Sequence, residues 1–206
     1  MDQELKSERS RRQILDAALE LFSHHGYGAT SVRDIAQAAK LSTGSVYHHF
    51  SDKETIFRSL LDEYWVALAN PDFPFNKALA TGIFPDNLED LGHAAEQMLR
   101  DYRPYVALIY VDVVEFDGSH IRKFYEDMAQ RYENFINTTG MRGQLEKRLR
   151  PGVSPVSAVM LAARFLLNYF SVEILFGVKN HFGKDNKEVI REIADMLRHG
   201  MVRTKG

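Results

Sequence analysis

The chain has no cysteine, a single tryptophan and no proline before Pro71 among its 206 residues. Without cysteine it forms no disulfide and has neither a thiolate nucleophile nor a cysteine-based zinc site. A nucleophile elbow, a phosphate-binding loop and an H-E-x-x-H pair are also missing, so no sequence pattern supports an enzyme. Asp112, Asp117 and His120 are close in sequence, but such a trio arises easily by chance. We therefore expect no catalytic residue and no cofactor.

An excess of charge of either sign is missing too, since the formal net charge is −2. The first sixty residues carry as many Lys and Arg as Asp and Glu, so the totals give no indication of nucleic-acid binding. A local basic cluster surrounds Glu8 and consists of Lys6, Arg9, Arg11 and Arg12. Taken alone, this cluster is typical of a solvated helix start.

No apolar stretch of the signal-peptide type follows the charged N-terminus, which favours a cytoplasmic protein. The longest apolar run, residues 156–178, is long enough to cross a bilayer. It contains Arg164, Asn168 and Glu173, and polar side chains of this kind would be costly in lipid. The run therefore indicates a buried helix of a soluble bundle, and we expect no membrane partner.

Apolar residues at helical spacing predict an all-α protein, with no β-hairpin signal. The first helix covers about residues 10–25, and Gly26 ends it. The second helix begins at Ser31, whose spacing to Asp34 approximates a capping box. Ser42 is the predicted N-cap of a short third helix. Two short helices joined by a tight turn are typical of the helix-turn-helix motif.

A fourth helix is predicted to open with a capping box formed by Ser51 and Glu54. The prolines of "NPDFPF" (70–75) end that helix. We therefore expect three parts, which are a helix-turn-helix head (1–51), a connecting helix (52–69) and a helical domain (70–206). Within the last part, apolar stripes predict further helices, one of which buries Val106, Ile109, Tyr110 and Val113.

The predicted third helix, "STGSVYHHF" (42–50), has unusually small residues at its start. Residues that reach base edges must lie near a helix N-terminus and let the backbone approach the groove floor. Thr43, Gly44 and Ser45 satisfy that condition. Gly44 costs the helix up to about 1 kcal/mol, a cost that close approach to DNA would offset.

Val46 and Phe50 are predicted to face inward, so that Tyr47 and His48 face outward. Alone, Tyr47 would more often be an ordinary buried aromatic residue. The neighbours His48 and His49 point in different directions, and neither has a histidine three or four residues away, so we expect no metal site. The groups available to DNA phosphates are the Tyr47 hydroxyl, a His49 nitrogen and the Lys53 ammonium.

Residues 30–61, "TSVRDIAQAAKLSTGSVYHHFSDKETIFRSLL", resemble the DNA-binding head of the TetR family of bacterial transcriptional regulators. The resemblance covers about residues 10–65 and depends on "DIA", then small residues, then "VYHHF" and "DKETIF". One residue departs from the family pattern, because Lys40 stands in the turn where members usually have glycine. A positive φ there would strain Lys40 modestly, unless the turn has a different shape.

Matched by position, the resemblance implies particular DNA contacts. The residues at base edges would be Thr43, Gly44 and His48, with Ser45 beside them and Arg33 as a further base or phosphate contact. The residues at phosphates would be Ser31, Tyr47, His49, Lys53, Arg11 and Arg12.

The resemblance also implies that the helical C-terminal part binds a small-molecule ligand and forms a homodimer through the last two long helices. Its dense aromatic residues are typical of a core, but a subset could line a pocket for a mostly apolar or aromatic ligand. Asp112 and Glu115 lie three apart in an apolar helix, where they would pair with a cationic ligand or face water or an arginine. The candidate ligand contacts are Trp65, Tyr102, Tyr105, Asp112, Phe116, Phe165, Asn168 and Tyr169.

The sequence therefore predicts a DNA-binding transcriptional regulator, specifically a repressor that its ligand releases from a palindromic double-stranded operator. The alternative is a helical protein-interaction module without DNA binding, because helix-turn-helix shapes also serve that end. Salt-sensitive binding to random DNA discriminates between the two.

Overall fold

The computed structural model describes residues 2–201 of the chain, and the all-α prediction is confirmed over that range. Its helices are α1 (Asp2–His25), α2 (Val32–Ala38), α3 (Thr43–His49), α4 (Lys53–Ala69), α5 (Pro74–Thr81), α6 (Leu88–Asp101), α7 (Arg103–Phe116), α8 (Arg122–Glu126), α9 (Met128–Thr138), α10 (Arg142–Arg148), α11 (Pro155–Ile174) and α12 (Asn186–Met201). The end of the predicted last helix, at residues 202 and 203, lies outside the described residues.

The helices form two compact units. The first unit runs up to Leu68 and includes Pro104–Lys123; the second includes Ala69–Arg103 and begins again at Phe124. The chain therefore leaves the first unit after α4 and returns to it with α7. The division into a head, a connecting helix and a C-terminal domain stays a prediction.

The first unit has one hydrophobic core, to which α1, α2, α3, α4 and α7 all contribute. Ile14, Ile35 and Phe57 are fully buried in it, and so is Leu108 of α7. Because α2 and α3 have only seven residues each, neither would be stable alone in water. Their packing onto the shared core stabilises both.

Helix α1 begins earlier than the apolar pattern predicts, at Asp2 instead of about residue 10. The extra turns are exposed and made mainly of Gln, Glu, Leu, Lys and Arg, which are good helix formers. They carry no apolar stripe that would reveal them. The predicted end is confirmed, because Gly26 has φ +83° and donates its N–H to Phe22 O at 3.0 Å.

The cap predicted for α2 is confirmed, but the cap predicted for α4 is wrong. Ser31 and Asp34 form a reciprocal capping box. At α4 the cap lies one residue later than Ser51, because Asp52 Oδ1 accepts the N–H of Thr55 at 2.7 Å. That hydrogen bond, followed by those from the Thr55 and Ser51 side chains, lowers the pKa of Asp52. A carboxylate caps as well as a hydroxyl and also suits the positive helix N-terminus.

Helix α7 buries a different face from the predicted one. Val106 is buried as expected, but Tyr110 and Val113 are exposed, whereas Leu108 and Asp112 are buried. The helix is apolar on most sides, so residue spacing alone does not single out a buried face. The buried face of α7 includes the Asp112 carboxylate, which has hydrogen-bond partners inside the first unit.

Helix α11 is the central helix of the second unit and packs against α6, α9, α10 and α12. It ends at Ile174, before the end of the apolar run at 178. By length and composition, α11 alone among the described helices could cross a membrane. Its packing on four neighbouring helices agrees with the predicted buried helix. Helices α5 and α10 were not predicted, because each is short and lies between turn residues.

Candidate nucleic-acid interface

Helix α3 is the predicted reading helix, and its N-cap is Ser42 as expected. Ser42 Oγ accepts the N–H of Ser45 at 3.0 Å and lies 3.0 Å from the Ser45 hydroxyl. Val46 and Phe50 are buried, as predicted, and anchor the helix to the core. The helix is therefore fixed on one face and capped at its start.

Of the two alternatives for the turn between α2 and α3, the structure has the positive φ, since φ at Lys40 is +58°. Lys40 N donates to Gln37 O at 3.1 Å, and Leu41 N donates to Ala36 O at 2.9 Å. This pair of hydrogen bonds is a Schellman motif. Lys40 occupies its left-handed position, where glycine is the usual residue.

The outer face of α3 is open to solvent. Thr43, Gly44 and His48 are exposed, and Tyr47 exposes 54% of its surface. A Cβ at Gly44 would meet only Ser42 Oγ among the described residues, at an ordinary 3.7 Å. Packing inside the protein therefore does not require glycine at this position.

His49 is half-buried, and its nearest ring neighbour is His48. Its ring lies 5.2 Å from the His48 ring, and the Arg11 guanidinium lies 5.1 Å above the Phe50 ring. Burial, then the charges of His48 and Arg11, lower the pKa of His49. A ring N–H of His49 is the group that it offers to a phosphate. Within residues 2–201, no group of three or more His, Asp or Glu could hold a metal ion.

Ser31 and Lys53, two predicted phosphate contacts, already have partners inside the head. Ser31 Oγ donates to Asp34 Oδ2 at 2.6 Å, and hydrogen bonds from Ser31 lower the pKa of Asp34. Lys53 Nζ donates to Tyr27 O and Thr30 O, both at 2.7 Å. Burial lowers the pKa of Lys53. The third N–H of Lys53 remains for a phosphate, whereas the Ser31 hydroxyl would have to leave Asp34.

The other predicted DNA contacts differ in how strongly they are tied to the protein. Arg12 is paired, because its Nε lies 2.7 Å from Asp16 Oδ1 and its Nη1 lies 2.9 Å from Glu63 Oε2. Arg11 and Arg33 are exposed. These exposed guanidinium groups are better placed than Arg12 to reach a phosphate or a base.

The eight predicted ligand contacts are divided equally between the two units. In the first unit, Tyr105 stacks on Tyr64 at 5.7 Å and donates to Glu63 Oε2 at 3.2 Å. Phe116 packs against Tyr27 at 4.6 Å and against Phe57. Trp65 is half-buried beside Tyr64 at 5.4 Å. These three aromatic residues pack against the hydrophobic core of the first unit.

Asp112 is fully buried in the first unit and has protein partners for both oxygens. Its Oδ1 lies 2.6 Å from His120 Nδ1, and its Oδ2 accepts the N–H of Ile121 at 3.2 Å. The other ring nitrogen of His120 lies 3.3 Å from Glu54 Oε1. Asp112 and His120, whose closeness in sequence had no evident meaning, thus form a structural pair.

The other four predicted ligand contacts lie in the second unit. Tyr169 is buried, its hydroxyl donates to Asn186 Oδ1 at 2.9 Å, and its ring stacks on His181. Burial, then the charge of Glu173, raises the pKa of Tyr169 to about 12. Phe165 and Asn168 are exposed on α11. Tyr102 packs on Phe73 at 5.2 Å.

Sequence reasoning did not identify the role of Glu115. Its carboxylate accepts the backbone N–H groups of Tyr27 and Gly28, which precede it by 88 and 87 residues. No local pattern could have indicated that contact. The only available signal was a carboxylate within an otherwise apolar helix.

A family model described as "Bacterial regulatory proteins, tetR family" matches residues 14–60. The chain is similar to the HTH-type transcriptional repressor KstR2 of Mycolicibacterium smegmatis, with 32% identity over 131 residues, which are 58% of this chain and 63% of that protein. It is also similar to the HTH-type transcriptional regulator HbdR of Aromatoleum sp., with 33% identity over 112 residues, which are 52% of this chain and 42% of that protein. The chain thus spans less than two thirds of the length of these curated relatives.

Solved structures extend the likeness of fold to nearly the whole chain. The fatty acid degradation regulator FadR from Bacillus halodurans superposes with a TM-score of 0.68 and 18% identity, over 93% of this chain and 95% of that one. Because its sequence identity is low, this likeness shows the fold alone. Residues 14–60 of the chain thus match the TetR family of bacterial regulatory proteins, and the relatives to which the longer stretch is similar are HTH-type transcriptional regulators.

Proposed function

We propose that the chain is a sequence-specific DNA-binding transcriptional regulator that inserts α3 into the major groove and acts in the bacterial cytoplasm. The observation that carries this proposal is the asymmetry of α3. One face is buried through Val46 and Phe50, while the other exposes Tyr47, His48 and a glycine that internal packing does not require. A glycine on an open helix face suits close contact with an external surface.

The exposed face assigns different roles to different residues. Thr43 and His48 read base edges, with Ser45 and Arg33 beside them, and Gly44 provides clearance for the backbone. Phosphates are held by Tyr47, His49 and Arg11, together with the third N–H of Lys53. Ser31 and Arg12 contribute only when they exchange their present partners for phosphate.

A homodimer fits the exposed apolar side chains of the last two long helices. Leu161 on α11 is 54% exposed, and Met196 on α12 is 60% exposed. Pairing these faces with a second copy would remove them from water. Two α3 helices would then reach major-groove faces about 34–36 Å apart, so the operator is palindromic.

Repression relieved by a ligand is the mode of regulation that we propose. The repression is supported by the relative KstR2, which is a transcriptional repressor. The ligand is a mostly apolar or aromatic small molecule, because aromatic residues are the most frequent candidates for its contacts. Tyr102, Phe165, Asn168 and Tyr169 are its candidate contacts in the second unit. Release requires that the ligand bind more tightly to a state that does not fit DNA.

The proposal is tested by selecting duplexes from random DNA with the purified full chain, followed by binding titrations across a salt series. We expect a palindrome to be enriched. Arg11→Ala should weaken binding to the selected duplex and to random DNA alike, and lower the salt slope by about 1. Thr43→Ala or His48→Ala should weaken mainly the selected duplex, by about 1–3 kcal/mol for each lost base contact.

A matched control is Lys77→Ala, which removes an exposed cation from α5 in the second unit and should leave both affinities unchanged. Tyr47→Phe removes only a hydroxyl and should weaken both duplexes by roughly 0.5–1.5 kcal/mol. If the wild-type chain enriches no sequence and its binding to random DNA does not depend on salt, the proposal is wrong. A protein-interaction module would then explain the exposed face of α3.

A further inference from the structure

The turn between α1 and α2, residues 26–30, is held by side chains from two distant helices. Glu115 of α7 accepts two backbone N–H groups, from Tyr27 to Oε1 at 2.8 Å and from Gly28 to Oε2 at 2.5 Å. Lys53 of α4 donates to two backbone carbonyls of the same turn. Hydrogen bonds to charged groups are stronger than those between neutral groups. The turn therefore has charged partners for both its donors and its acceptors.

The two glycines of the turn leave room for the Glu115 carboxylate. A Cβ at Gly26 would lie 2.7 Å from Glu115 Oε1, and a Cβ at Gly28 would lie 2.9 Å from Glu115 Oε2. Gly26 also has φ +83°, which by itself favours glycine. Gly28 has no positive φ, and a Cβ there would displace the Glu115 carboxylate from its present position.

The residue after Glu115 strengthens the same contact. The Phe116 ring lies 4.6 Å from the Tyr27 ring in an edge arrangement, and both rings contact Phe57 of α4. Lys53 Nζ also lies over the Tyr27 ring, 3.9 Å from its centroid. The end of α7 is thus joined to the turn by a carboxylate and by an aromatic cluster.

The position of this turn determines where the DNA-reading helices lie. Thr30 is the last residue of the turn, and its hydroxyl donates to Gly26 O. The next residue, Ser31, is the N-cap of α2. Helix α2 packs against α3 and leads into it through the Schellman turn. A shift of the turn would therefore displace both short helices together.

We propose that Glu115 is a positioning residue for DNA reading, which fixes the α1–α2 turn and thereby the orientation of α2 and α3. This inference rests on the proposed function of the chain. Glu115 does not contact DNA; it holds the backbone that carries the residues that do. Loss of the clamp should reduce discrimination between the selected duplex and random DNA more than it reduces binding to random DNA, because flexible charged side chains still reach phosphates.

The first test compares Glu115→Gln with wild type in the full chain. The amide has the size of the carboxylate, but its NH₂ group cannot accept a backbone N–H. The matched control is Glu89→Gln, which removes an exposed carboxylate from α6. Amide hydrogen exchange at Tyr27 and Gly28 should become about tenfold faster in Glu115→Gln if the local free energy falls by about 1.4 kcal/mol. It should not change in the control.

The second readout is the ratio of affinities for the selected palindrome and for random DNA. Measurements are made at a temperature where circular dichroism shows both variants fully folded, so that lower stability alone does not alter the ratio. We expect the ratio to fall by about fivefold or more in Glu115→Gln, with the affinity for random DNA nearly unchanged. Glu115→Asp retains the charge and should recover part of the ratio.

A third variant approaches the contact from the other side. Gly28→Ala places a methyl group where the Glu115 carboxylate lies. It should lower the affinity ratio although no residue of α7 is substituted. Glu115→Gln and Gly28→Ala disrupt the same interaction. The variant that carries both changes should therefore have an affinity ratio no lower than that of the more affected single variant. Unchanged amide exchange in Glu115→Gln, or faster exchange with an unchanged affinity ratio, would overturn the inference while the proposed function stands. A wild-type chain that enriches no duplex would overturn the proposed function itself.

Discussion

Replacing Lys40 by glycine should stabilise the protein, although Lys40 is exposed and lies far from the centre of the core. Its φ of +58° places it in the left-handed region, at the position of the Schellman motif where glycine is usual. A left-handed conformation costs an L-residue about 1–2 kcal/mol, and glycine loses about 0.5–1 kcal/mol more backbone entropy on folding. The difference predicts a gain of about 0.5–1 kcal/mol from Lys40→Gly.

The assay is urea unfolding followed by circular dichroism, with a thermal scan in parallel. A gain of this size should raise Tm by about 1–4 °C for a chain of this length. The control is Lys40→Ala, which removes the same charge but leaves a Cβ at positive φ, so its stability should match or fall below that of wild type. If Lys40→Gly is no more stable than Lys40→Ala, the turn stores no strain at this residue and the reasoning is wrong.

Two further predictions concern Gly44, which is exposed, and Asp112, which is fully buried. Gly44→Ala should stabilise the folded protein by about 0.5–1 kcal/mol, because its Cβ lies in a helix and makes only an ordinary contact with Ser42 Oγ. The same change should weaken binding to the selected duplex. Equal or better binding would show that the glycine gives no clearance for DNA. Asp112→Asn should destabilise the first unit by about 1–3 kcal/mol in urea unfolding, because it replaces an oxygen of a fully buried side chain that contacts His120 Nδ1 and accepts the N–H of Ile121. A loss below about 1 kcal/mol, together with weaker ligand binding, would instead support the role of Asp112 as a ligand contact.

Local signals in the sequence were sufficient to locate most features of the reading head. Gly26, Ser31 and Ser42 end or cap helices as predicted, because each acts through backbone groups within a few residues of itself. For Lys40 the sequence left open whether φ is positive or the turn has a different shape, and the structure has the positive φ. The buried pair Val46 and Phe50 follows from helical spacing on a helix with one clearly apolar face.

Features that depend on distant parts of the chain were not predictable in this way. At the start of α4, Ser51 and Asp52 are both good caps, and the choice between them depends on packing of the whole helix. On α7, apolar residues surround the helix, so the buried face is decided by neighbours that the sequence does not reveal. The contact of Glu115 with Tyr27 and Gly28 joins positions almost ninety residues apart.

The return of the chain to the first unit at Pro104–Lys123 limits how this protein can be divided into fragments or recombined with a relative. Leu108 and Ile121 belong to the same hydrophobic cluster as the helix-turn-helix residues, and a gene fragment that stops at Leu68 encodes neither. A chimaera that exchanges the DNA-binding head with that of a relative must therefore transplant two separate stretches of coding sequence. A crossover that carries only the first stretch would leave the imported head with a foreign helix against its core.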